Sequence, residues 1–97
     1  MSQFQAKLPP DAIRRYLERR KSDLEVCHTV YESLDFARVE TIGHQLKGNA
    51  ATFGFPDLAL VGIGLEKAGI NQDMALLVKG AIELERWLLS VQKLQKN

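Results

Sequence analysis

Apolar residues recur along this chain at steps of three and four, and no stretch alternates strictly between apolar and polar, so the pattern is helical throughout. Pro9 and Pro10 suit the first turn of a short helix that directs Ile13, Tyr16 and Leu17 inward. Ser22-Asp23-Leu24-Glu25 fits a capping box, in which a serine hydroxyl and a glutamate side chain satisfy the orphan amides of a helix start. The helix behind it carries Leu24, Cys27, Tyr31 and Leu34 as its stripe. Asp35 is the expected N-cap of the next segment, with Phe36, Val39, Ile42, Gly43, Leu46, Ala50 and Phe53 along one side. Gly54 stands where a C′ glycine belongs, and Pro56 opens a further helix that buries Leu58, Val61, Leu65 and Ala68 and stops at Gly69. Asn71 or Asp73 caps the last helix, whose stripe is Met74, Leu77, Ala81, Leu84, Leu88 and Val91. Connections this short make sequence neighbours antiparallel. The expected fold is all-α: an up-down antiparallel four-helix bundle with a short additional N-terminal helix, one domain over residues 1–97 with its core at about 10–95.

Composition narrows the functional classes. With 97 residues, 45% of them hydrophobic, the chain can bury one core and not two. Thirteen Lys/Arg against twelve Asp/Glu leave a net charge of +1, which argues against a general nucleic-acid or membrane binder working by bulk charge. Cys27 is the sole cysteine, so no disulfide can form within the chain. Residues 1–5 show no basic segment followed by an apolar one, and no apolar run approaches the roughly 18 residues of a membrane span. The expectation is a cytoplasmic domain.

Candidate chemistry concentrates in the segment that begins at Phe36. Its apolar set occupies one arc of a helical wheel, and His44 falls on the opposite, water-facing side, about 80° from Phe36. Along that face its neighbours are Ala37, Thr41, Gly48 and Ala51, all small, where a solvated helix normally carries long Glu, Lys or Gln side chains. An exposed glycine in a helix interior costs about 1 kcal/mol relative to alanine. Gly48 becomes intelligible if another molecule presses onto the helix one turn beyond His44. Lys47, at the edge of the same face, can swing over the imidazole, favour the neutral nucleophilic ring and balance a dianionic group placed on it. The bland alternative is an ordinary solvated histidine; the clearing, the glycine and the lysine together argue against it.

These residues carry a resemblance. His44-Gln45-Leu46-Lys47-Gly48, Gly54 six residues on, then Leu58 and Leu65-Glu66, resemble the signature of the histidine-containing phosphotransfer (HPt) family, and the likeness extends from about Pro10 to Val91 because the helix order also matches. The resemblance implies that His44 accepts a phosphoryl group on Nε2, that Lys47 neutralises it and that Gly48 admits a partner receiver domain. Gly54 would serve the turn between the two central helices. It further implies a phosphocarrier in a two-component multistep phosphorelay, not an enzyme, with no intrinsic cofactor and Mg²⁺ supplied by the partner. That partner would be a response-regulator receiver, a hybrid sensor kinase, or both. Gly43, and Gly62 with Gly64, depart from the pattern where better helix formers are expected. The partner surface expected from the wheel comprises Thr41, Gln45, Gly48, Ala51 and, on the following helix, Leu60, Ile63 and Lys67; the N-terminal helix covering Leu60 and Ile63 is the competing expectation. The alternative function is a bundle that docks and regulates a receiver or kinase without being phosphorylated.

Other signals are weaker. Gly62-Ile63-Gly64 with Gly69 misses dinucleotide-loop spacing and follows no strand. Cys27 and His28 diverge as adjacent helix positions and find no further metal ligands; Cys27 belongs to the core and His28 to its margin. Glu40 is a solvated acid or a hydrogen-bond partner of His44, and Trp87 packs against a neighbouring helix. The first 21 residues hold six Lys/Arg, among them Lys7, Arg14, Arg15, Arg19, Arg20 and Lys21, against Asp11 and Glu18. That stretch is a solvated helix face, a nucleic-acid site, or a patch that steers an acidic receiver.

Overall fold

The computed structural model describes residues 9–95, with side chains to residue 93; residues 1–5, in which no leader pattern is read, and Lys7 of the basic stretch lie outside the described residues. Four helices follow one another: α1 (Pro10–Ser33), α2 (Phe36–Thr52), α3 (Pro56–Asn71) and α4 (Met74–Gln95). They form an antiparallel bundle, a rod of 37 × 20 × 19 Å, with no strand among the described residues.

The short N-terminal helix is not a separate element. α1 runs unbroken for 24 residues through Ser22, so the capping-box sequence starts nothing. The reason lies in the phase. Ile13, Tyr16, Leu17, Arg20, Cys27 and Val30 all fall on one arc of a single helix, and no glycine or proline interrupts residues 11–33. Val30 occupies the inward position, whereas Tyr31 and Leu34 are exposed, contrary to the expected stripe. Leu34 ends the helix in a left-handed conformation (φ 61°), its N–H donating to the Val30 carbonyl at 2.9 Å.

Asp35 stands at the N-cap of α2 without a side-chain capping bond. At the other end Gly54 adopts φ 86°, and the N–H groups of Gly54 and Phe55 return to the carbonyls of Ala51 and Ala50, a Schellman closure that needs glycine at this point. α3 continues past Gly69 to Asn71 and closes at Gln72 (φ 52°) instead. Asp73, of the two candidates, caps α4, its Oδ1 accepting the Leu76 N–H at 3.1 Å. Leu46, Leu58, Leu65, Leu77 and Leu84 are fully buried along the axis, while Tyr16, Phe55 and Trp87 pack edge-on and tilted at one end with centroids 5.2–6.3 Å apart. Trp87 thus packs between helices, as its sequence context suggests. Among the described residues no helix is long and apolar enough to cross a membrane.

α2 and α3 form the most intimate pair in the bundle. A Cβ on Gly62 would lie 2.6 Å from the Lys47 backbone nitrogen and 2.9 Å from the Gly43 carbonyl. One on Gly43 would collide with the backbone of Glu66, and one on Gly69 with that of Glu40. Gly43 and Gly62, which look like defects in the sequence, are therefore part of the contact surface between two helices, whereas Gly64 faces open space. Gly69 is a packing residue and not a stop.

Candidate functional site

The close approach of α2 and α3 brings together residues 22 positions apart. His44 lies near the middle of α2 with its side chain 70% exposed, outside the bundle interior and, among the described residues, bonded to α3 only through Glu66. Its Nδ1 is 2.9 Å from Oε2 of Glu66 on α3. The other oxygen of that carboxylate, Oε1, accepts from the Lys47 ammonium at 2.8 Å. Glu66 thus bridges the two residues that the sequence singles out, and is itself only 18% exposed. Lys47 does not rest over the ring; it holds the carboxylate that holds the ring.

Electrostatics fix the hydrogen-bond roles. The Lys47 ammonium, and after it the His44 ring, hold the Glu66 carboxyl below its ordinary value of 4.5. Glu66 is therefore ionised at neutral pH and can only accept, so Nδ1 is the donor. In the neutral ring the lone pair must then sit on Nε2, which has no partner among the described residues. A depressed carboxylate pKa adds stability that is fully present above the ordinary value and is lost as pH falls through the lowered one.

Every residue expected on the partner face is on the outside. Thr41, Gln45, Gly48, Ala51 and Lys67 are exposed, and Gly48 has open space where a Cβ would stand. Leu60 and Ile63 are 66% and 40% exposed, so α1 does not cover them. Ile63 lies three residues before Glu66 on α3 and thus flanks the carboxylate on the outer surface. A shallow cleft of about 360 Å³ runs beside the imidazole, lined by Glu40, Thr41, His44, Gln45 and Glu66. Glu40 is solvated and does not bond the ring; Glu66 takes that place. Glu66 belongs to the motif Leu65-Glu66, but nothing local in the sequence places it near His44. The available signal was the matched pair Gly43 and Gly62, which marks a close helix crossing.

The remaining candidates separate from this site. Cys27 is fully buried, and burial pushes its thiol up to about 12, so it is inert. His28 is exposed, with its ring 5.5 Å from that of Tyr31, and bonds no carboxylate. No group of three or more His, Cys, Asp or Glu among the described residues could hold a metal ion.

Comparison with curated proteins gives no match, and comparison with solved structures gives none either. Comparison with family models does: the Hpt domain model matches residues 11–96, nearly the whole chain. A helical bundle, a histidine facing solvent and this match agree, and the chain belongs to the Hpt domain family, whose members are phosphocarriers that pass phosphoryl groups through a histidine in phosphorelays and interact with response-regulator receivers.

Proposed function

We propose that His44 is the phosphoryl acceptor of this domain and exchanges the group with the aspartates of response-regulator receivers in a cytoplasmic multistep relay. The observation that carries the reading is the bond from Nδ1 to Glu66, which leaves the Nε2 lone pair unengaged on a ring that is 70% exposed. In the step proposed, Nε2 attacks the phosphorus of a receiver's aspartyl phosphate. The P–N bond forms, the P–O bond to the aspartyl carboxylate breaks, and that carboxylate leaves with the bonding pair. The Nδ1 proton stays where it is. The ring becomes cationic while carrying a dianionic phosphoryl group; Glu66 faces the first charge, and in this reading the Lys47 ammonium, bonded to Glu66 in the unphosphorylated chain, balances the second. Phosphoryl transfer depends chiefly on positioning and charge neutralisation. The acidic pocket and its Mg²⁺ therefore come from the receiver in this reading, and no cofactor of the chain's own is invoked.

Transfer from a radiolabelled phospho-receiver with Mg²⁺ tests the proposal. Label should appear on this chain, be lost in acid and survive base, as a phosphoramidate does. Receiver binding without any label would instead favour a module that docks and regulates. Glu66 acts here as a positioning residue. Glu66→Ala should slow acceptance about tenfold, and Glu66→Gln, whose amide oxygen can still accept from Nδ1, should restore most of it. Equal rates for the two variants would remove Glu66 from the mechanism. The outer face of α3 supplies the docking contacts: Ile63→Glu should slow transfer at least about tenfold, by placing an unpaired charge in the interface, with the circular dichroism spectrum unchanged. Unaltered transfer would exclude this face.

A further inference from the structure

The basic stretch of α1 resolves into residues with different fates. Arg14 pairs with Asp11 at 3.1 Å and Lys21 with Glu18 at 3.4 Å, each along the helix surface. Arg20 is 5% exposed; its Nε donates to Asp23 at 2.8 Å and its guanidinium lies over the Tyr16 ring, 4.5 Å from the centroid. Asn49 of α2 completes this cluster, accepting from the Tyr16 hydroxyl at 2.6 Å. Arg15 and Arg19 differ from all of these. Both are exposed, and neither forms an ion pair within 4 Å among the described residues, although Arg19 feels the Asp23 carboxylate at longer range.

These two cations stand one helical turn apart on the wall of a groove of about 580 Å³ between α1 and α2. Arg20, Tyr16 and Asn49 are also in its lining, a rigid cross-linked set, and Phe53 adds apolar surface. No acidic residue lines it. Like charges one turn apart repel, a strain that a bound carboxylate removes. The position of the groove matters most. Gln45 lines both this groove and the cleft beside His44, so the two are contiguous. A protein seated on His44 has the groove at the edge of its footprint.

We infer that this groove receives an acidic segment of the protein that docks on His44, with side-chain carboxylates one helical turn apart engaging Arg15 and Arg19. The inference rests on the phosphotransfer reading for what docks at His44, but the groove and its charge stand without it. Guanidinium forks match carboxylates bidentately, and the pair sets orientation and rate of encounter with the partner. A nucleic-acid strand fits less well. Two exposed guanidiniums in a partly apolar slot offer few phosphate contacts, and the chain as a whole carries only +1.

The test uses fluorescein-labelled hexaglutamate and a fluorescein-labelled dT₆ oligonucleotide as probes, read by polarisation and by the side-chain amide NMR signals of Gln45 and Asn49. Hexaglutamate should bind in a salt-dependent way, shift both amides and lose at least about tenfold in affinity in Arg15→Glu/Arg19→Glu. Arg15→Gln/Arg19→Gln, which only removes charge, should lie between. His44→Gln should bind hexaglutamate as the wild type does, and phosphoramidate should modify His44 equally in the arginine variants. Failure of the histidine chemistry would show as no modification in any variant with peptide binding intact, so the two readings fail separately. No amide shift, equal affinity in the double variant, or tighter binding of dT₆ through the same arginines would overturn the inference.

Discussion

His44→Gln is expected to abolish phosphoryl acceptance, lowering the rate by at least about a thousandfold, about 4 kcal/mol in the barrier. Glutamine matches histidine in helix propensity to within a few tenths of a kcal/mol and remains polar, so an exposed side chain changes little in stability. What it lacks is a ring nitrogen with a free lone pair. The amide nitrogen is conjugated and does not attack phosphorus, and no neighbour supplies a replacement: Thr41 is committed by its hydroxyl to the Ala37 carbonyl at 3.1 Å, and Lys47 holds Glu66. His28→Gln is the matched control. That ring is also exposed but bonds no carboxylate, and its loss should leave acceptance unchanged. Labelling of both variants alongside thermal melts separates loss of chemistry from loss of fold.

Gly62→Val should have the largest effect on structure. Its new Cβ would meet main-chain atoms of Lys47 and Gly43 at 2.6 and 2.9 Å, and main chain within a helix cannot yield as a flexible side chain does. α2 and α3 must separate, which opens the packing around Leu46 and Leu65 and withdraws Glu66 from His44. Overpacking of this kind costs about 3 kcal/mol, or roughly 15 °C in melting temperature for a domain this small. Gly48→Ala is the opposing control. Nothing lies within 4 Å of its new methyl group, so the helix gains about 1 kcal/mol. A melt in which both variants moved alike would mean that the α2–α3 crossing does not depend on glycine.

The particular elements explain what the sequence made legible. The stripes of α2, α3 and α4 are nearly continuous apolar repeats, and His44 stands out because its face is stripped of long side chains; both are local patterns. Ser22-Asp23-Leu24-Glu25 reads as a helix start by its capping-box pattern alone, yet α1 runs on through it and Arg20 takes an inward position. Its pairing with Asp23 and its stacking on Tyr16 make that position tolerable, and neither contact can be read from periodicity. Gly69 misleads in a similar way. A glycine near a helix end signals a cap, but here it admits the backbone of Glu40 from another helix. Glu66 escaped notice because its partners lie on a different element and meet it only through the Gly43–Gly62 crossing. Local chemistry showed through, whereas contacts made by tertiary packing did not.

The nitrogen that carries the phosphoryl group decides the account most directly. Chain uniformly labelled with ¹⁵N and phosphorylated with phosphoramidate should show a one-bond ³¹P–¹⁵N coupling to Nε2 of His44, with the Nδ1 proton still present and shifted by its bond to Glu66. Coupling to Nδ1, or phosphate on His28 or on any residue other than His44, would contradict it.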